Sequence, residues 1–169
     1  MKILFAFILI LFAAFSILIP HAPNFTAVIS TALFAGAYLQ KRFAFIVPLA
    51  ALLMSDLIIG FYSFGSMIFV YGSFMLIVAL GLTMQNKVSA IRIGALSIVG
   101  ATLFFILTNF GVWIVPNSMY PKTLAGLIEC YIMAIPFFGN TAFSALIYSS
   151  VMFGLYEATE RFVFKMKTV

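Results

Sequence analysis

Residues 123–138 read TLAGLIECYIMAIPFF. The run is apolar, yet it is shorter than the roughly 20 residues a membrane-spanning helix needs. It carries a carboxylate at Glu129 and is flanked by Pro121 and Pro136. Whether it crosses decides on which side of a bilayer the C-terminal residues lie. On either side of it the chain is a series of longer apolar runs: 3–19, 25–39, 43–59, 66–83, 93–115 and 141–156. These runs are continuous and lack period-two alternation, so helices are expected rather than barrel strands.

The distribution of basic residues settles the reading. If 123–138 does not cross and the N-terminus is cytoplasmic, then Lys2, Lys41, Arg42, Lys87, Arg92, Arg161, Lys165 and Lys167 share the cytoplasmic side. Only Lys122 is external, a strong bias for such short connections. If the segment did cross, the three C-terminal cations would move outside. The expectation is an all-α polytopic membrane protein with six transmembrane helices, an external half-helix at about 121–137 and both termini cytoplasmic. Residues 1–169 form one integral membrane domain of the plasma (inner) membrane. The N-terminal run is read as a retained helix: it is longer than a signal-peptide core, and Ala13-Ala14-Phe15-Ser16 is a poor cleavage site.

Composition agrees. Hydrophobic types make up 65% of the 169 residues and charged types 8%, and the mean hydropathy is +1.23. Soluble domains carry about 25% charged residues, so a water-soluble enzyme is excluded. The net charge of +5 is scattered, with no basic stripe, which argues against nucleic acid. Cys130 is the single cysteine and His21 the single histidine, so neither a disulfide nor a Cys/His metal site is expected. Cys130 reads as a small packed hydrophobe and His21 as a solvated loop residue.

Polar residues inside apolar runs are costly and need partners. Asp56 lies about one turn before Gly60 and reads either as an interfacial cap or as a solute- or ion-binding group. Asn109 reads either as an interhelical hydrogen-bonding residue or as a ligand contact. Trp113 is four residues further on, so the two share a helix face. In the external segment Pro121 fits a first helical position and Thr123 can satisfy a nearby amide. Tyr120, Lys122 and Glu129 belong either to an amphipathic lid or to a binding site. Asn24 reads as an N-cap for the second helix. Ala27, Thr31 and Ala35, at spacing four, form a small-residue face suited to packing within the fold or to a partner helix. No metalloprotease, serine-hydrolase, phosphate-loop or CxxC motif is present. An intramembrane enzyme would need Asp56 and Glu129 to converge.

Several motifs occur in order: Pro23-Asn24-Phe25-Thr26, Ser55-Asp56 with Gly60, Thr108-Asn109-Phe110-Gly111-Val112-Trp113, Tyr120-Pro121-Lys122-Thr123-Leu124-Ala125-Gly126-Leu127, and Pro136-Phe137-Phe138 with Asn140-Thr141. Together they resemble a family of small, uncharacterised bacterial membrane proteins assigned a transport role. That family in turn resembles the substrate-binding S components of energy-coupling-factor transporters. The resemblance implies six helices, capture of a small solute from outside, and docking on a membrane coupling protein driven by ATPases. Docking in that group uses small residues of the first helix, whereas here the clearest such face is on the second. Metal-binding S components use N-terminal histidine-type ligands, which this chain lacks.

The expected function is therefore a non-enzymatic, solute-binding transport subunit with no cofactor. Asp56, Asn109, Trp113, Tyr120 and Glu129 would line an external pocket, and the partners would be lipids, a small molecule and a coupling protein. The alternative is a structural or assembly membrane protein whose polar residues only join helices.

Overall fold

A computed structural model describes residues 20–167, with side chains through Arg161, and six earlier residues: Leu4, Phe7, Ile8, Leu11, Phe15 and Ser16. The expected first span therefore lies largely outside the described residues. Among these there are no strands and five helices. They are α1 (Val28–Tyr38), α2 (Lys41–Ile59), α3 (Phe64–Leu82), α4 (Ala90–Ile114) and α5 (Leu124–Lys167). All-helical architecture and strong apolarity are as expected; the span count is not. Four helices are long and apolar enough to cross a membrane: Lys41–Ile59, Phe64–Leu82, Ala90–Ile114 and Leu124–Arg161.

Of the two expected spans missing from that count, the first lies largely outside the described residues and the second is shortened. The second expected span contracts to the 11 residues of α1, about 16 Å long at 1.5 Å per residue. That is about half a hydrocarbon core. Asn24 is not its N-cap: it takes a left-handed φ of 61°, and the cap is Ala27, with no side-chain bond. Every residue from Val28 to Ala37 is buried. α1 is thus apolar because other helices surround it, and core apolarity and lipid-facing apolarity look alike in a sequence.

A further difference, which leaves the count unchanged, is the segment 123–138. It is not a separate external half-helix. From Leu124 it forms the first third of α5, which continues through Pro136. Proline removes one backbone donor and crowds the carbonyl four residues earlier, but packing on both sides holds the helix together. Tyr131 Oη donates to the Ile106 carbonyl at 2.7 Å, and Phe138 stacks on Phe105 at 5.1 Å. Thr123, rather than Pro121, opens the helix, its Oγ1 accepting from Gly126 N at 3.2 Å.

α4 and α5 run antiparallel, joined by Asn109–Cys130 at one level and Ser97–Ser149 at another. Between these levels α4 advances about 12 residues and α5 about 19, or roughly 18 Å against 29 Å. α5 must therefore incline or bow along α4, and Pro136 lies within that interval.

α1 sits at the centre, touching all four other helices. It crosses α3 with backbone against backbone: a Cβ on Gly36 would lie 2.4 Å from Val78 O and 2.7 Å from Gly81 Cα. Ala27, Thr31 and Ala35 are within this core, so the small-residue face packs inside the fold and is not free for a partner helix. A buried serine chain joins three helices. Ser97 Oγ donates to Ser149 Oγ at 2.9 Å, Ser149 to Ser30 at 3.0 Å, and Ser30 to the Ala145 carbonyl at 3.0 Å.

The two ends of the bundle differ in charge. Gln85 Nε2 donates to the Gly36 and Leu39 carbonyls at the end of α1. At the same end Tyr38 Oη donates to Glu157 at 2.8 Å. At this end lie Lys41 and Arg42 at the start of α2, Lys87 in the next connection and Arg92 in the first turn of α4, and Arg161 lies one turn beyond Glu157. Phe7 packs edge-on against Phe43 near this end. Lys122 lies at the opposite end.

Candidate functional site

The five residues expected to share a pocket do not come together in one. Asp56 is buried on α2 and accepts a hydrogen bond from Tyr71 Oη of α3 at 2.6 Å. Tyr62, in the connection between these helices, is close enough to feel the charge. Burial first, and the Asp56 carboxylate second, push its phenol up to about 12. Ser55 turns back to the Ala51 carbonyl at 3.1 Å. Asp56 therefore ties α2 to α3. Glu129 is exposed on α5, and α2 makes no contact with α5. The convergence of Asp56 and Glu129 that an intramembrane enzyme would need does not occur.

Trp113, Lys122 and Thr123 form a joint between α4 and α5. Trp113 Nε1 donates to the Pro121 carbonyl at 2.9 Å. Lys122 Nζ lies 5.7 Å from the indole centroid and donates to the backbone carbonyls of Trp113 and Val115, the latter at 2.7 Å. Those carbonyls end α4 and have no partner within the helix, so a terminal cation both bonds them and suits the helix dipole. Gly126 permits the turn, since a Cβ there would lie 2.1 Å from Pro121 O. Gly111 similarly makes room for Phe69, whose Cγ would lie 2.6 Å from an added Cβ. Tyr120 is half-buried beside this joint, its backbone N bonded to Ser118 Oγ at 3.3 Å. The two most distinctive motifs of the sequence thus build one connection.

Asn109 is the expected residue that lines a cavity. Its Nδ2 donates to the Phe105 carbonyl of its own helix at 2.8 Å, which leaves the amide oxygen and a second N–H as bonding capacity. The cavity, about 240 Å³, lies between α4, α5 and the turn before α1. Its polar lining is Asn24, Thr108, Asn109 and Thr141; Phe104, Phe105 and Phe137 form its aromatic walls. Thr108 and Thr141 donate back to the carbonyls of Phe104 and Phe137, so their hydroxyl oxygens remain acceptors. No charged residue lines this cavity, and Asp56, Trp113, Tyr120 and Glu129 do not contribute to it.

The aromatic partner of Asn109 is therefore not Trp113, whose indole turns to Pro121, but phenylalanines from both helices. Sequence reasoning missed Asn24 as a lining residue because an asparagine before a helix reads as a cap. The clue was its neighbour Pro23, whose carbonyl accepts from Asn140 Nδ2 at 2.9 Å and holds this turn against α5. Cys130 is buried as expected, its Sγ donating to the Asn109 carbonyl at 3.4 Å. His21 is exposed, with Nδ1 at 2.9 Å from the Ala22 carbonyl. Among the described residues no group of three potential metal ligands occurs.

Searches of curated proteins and of solved structures returned no match. A match was found to a family of unknown function, DUF6580, over residues 1–166. Covering nearly the whole chain, that match shows that the protein belongs to this uncharacterised family.

Proposed function

We propose that the protein is the solute-binding subunit of a plasma-membrane transport system and that it takes a small, uncharged molecule into the Asn24–Asn109 cavity. The observation that carries this reading is the pairing of two side-chain amides with three phenylalanines around one space. Amides present donors and acceptors together, and aromatic walls suit a planar apolar body. The absence of charge in the lining argues against a carboxylate, a phosphate or a metal ion as the solute. At about 240 Å³ the space lies just under the usual range for drug-sized ligands, so the solute is small.

The positive-inside rule makes the basic end of the bundle cytoplasmic, which puts the cavity in the external half. Phe7 and Arg161 are both near the basic end, in keeping with two cytoplasmic termini. Asn109 contacts the solute directly. Trp113 and Tyr120 act through the α4–α5 connection, Asp56 acts through the α2–α3 pair, and Glu129 lies on the exposed side of α5. A coupling protein would dock on a surface other than Ala27, Thr31 and Ala35, which are interior.

The test is mass spectrometry of small molecules co-purified in mild detergent, for the wild type and for Asn109→Leu. A neutral hydrogen-bonding compound retained by the wild type and lost from a folded Asn109→Leu supports the proposal. Equal retention, or none in either, overturns it. A second reading, a structural membrane protein without a ligand, is favoured by one observation: among the described residues no buried side-chain N or O lacks a hydrogen-bond partner. An empty wild-type protein would support that reading.

A further inference from the structure

A second cavity, about 380 Å³, opens at the basic end of the bundle between the start of α4 and the end of α5. Its lining includes Ile93, Gly94, Ser150, Phe153 and Gly154, with Glu157 and Arg161 further along α5 toward the basic end. The two glycines behave unlike Gly36 and Gly81, where backbones meet. A Cβ added at Gly94 or at Gly154 would find nothing within 4 Å. Small residues between membrane helices usually serve close approach; these instead leave a groove open.

The lining is mostly apolar, with Ser89 and Ser150 as neutral polar side chains, and carries one charge of each sign, Glu157 and Arg161. Glu157 and Arg161 are four residues apart on α5, so their side chains share a face about 6 Å apart along the axis. Glu157 uses Oε1 to accept from Tyr38 and retains acceptor capacity on the rest of its carboxylate.

We propose that this groove is a binding site for phosphatidylethanolamine from the cytoplasmic leaflet. The phosphate lies against the Arg161 guanidinium, which can hold two oxygens at once. The primary ammonium donates to Glu157. The upper part of an acyl chain lies over Gly94 and Gly154. Charge complementarity selects this occupant: an anionic lipid would put uncompensated charge beside Glu157, and a choline headgroup has no N–H to donate.

The experiment is native mass spectrometry of the delipidated full-length protein, titrated separately with phosphatidylethanolamine, phosphatidylcholine and phosphatidylglycerol. The expected result is retention of phosphatidylethanolamine about tenfold tighter than either of the others, a difference well within reach of one extra charged contact. Gly154→Leu, which fills the groove, should remove that preference without changing the melting temperature. Gly94→Leu fills it from the opposite helix and serves if the first variant does not fold. Equal affinity for all three lipids, preference for phosphatidylglycerol, or unchanged selectivity in a folded groove-filled variant would overturn the proposal.

Discussion

Gly36→Ala is the sharpest test of the packing, because one methyl group is added where α1 and α3 touch through their backbones. The new Cβ would sit 2.4 Å from Val78 O, 2.7 Å from Gly81 Cα and 2.8 Å from Gly81 C. All three are main-chain atoms of a helix, so no side chain can swing away. Relief requires the helices to part by roughly 1 Å, and a gap of that size forfeits a quarter to a half of each dispersion contact across it. Leu33, Phe34, Ile77 and Val78 are all buried close to this crossing. Overpacking of this kind costs about 1–3 kcal/mol, against less than about 1 kcal/mol gained from the better helix propensity of alanine. A net loss of about 1 kcal/mol lowers Tm by about 2–4 °C in a chain of this size.

Cys130 supplies the assay: it is the only cysteine and is buried, so a thiol-reactive dye reports unfolding in detergent. Gly72→Ala is the control, since a Cβ there meets nothing within 4 Å, and it should leave Tm unchanged or slightly raised. If Gly36→Ala melts no lower than Gly72→Ala, the backbone contact between α1 and α3 is not as described here.

Three further outcomes are expected. Ser149→Ala removes the middle of the Ser97–Ser149–Ser30 chain and should cost about 0.6–1.7 kcal/mol; a double-mutant cycle with Ser30→Ala should show coupling between them in the same melting assay. Tyr71→Phe strips Asp56 of its donor and should destabilise by about 1–3 kcal/mol, with part of the loss recovered when Asp56→Asn is added. Lys122→Met removes the cation over Trp113 and the donor to the last carbonyls of α4. Because Trp113 is the only tryptophan, its emission should shift, and limited proteolysis between 115 and 123 should accelerate.

Particular residues show why some features could be read in advance and others could not. Thr123 as a residue that satisfies a nearby amide and Cys130 as a packed thiol follow from local chemistry, and both were legible; Pro121 as the first helical position was not what the fold adopts. Asn109 was legible as costly in hydrocarbon, hence in need of a partner or a cavity. Its companions were not, because Asn24 and Phe137 come from distant parts of the chain. Trp113 and Lys122 looked available for a solute, but their hydrogen-bonding groups are taken by carbonyls that become free only where α4 ends. Asp56 and Glu129 both fell within the external half when each charge was assigned a side of the bilayer. A side is only one coordinate, however, and the helices that carry the two residues do not touch.

The amino-acid order by itself determined that the chain is helical with apolar runs long enough to cross a membrane, where most helices begin and end, and that most cations fall toward one end of the bundle. These follow from hydropathy, capping residues and charge, which act within a few residues of their own position. Tertiary structure decided what each apolar run is apolar for. α1 is buried from Val28 to Ala37, and 123–138 joins the next run in one helix through Pro136, because a residue's surroundings depend on neighbours brought in from elsewhere in the chain. Whether a leucine meets lipid or another helix leaves no mark on the sequence, since both are equally apolar. That ambiguity separates the expected second span from the short central helix found among the described residues.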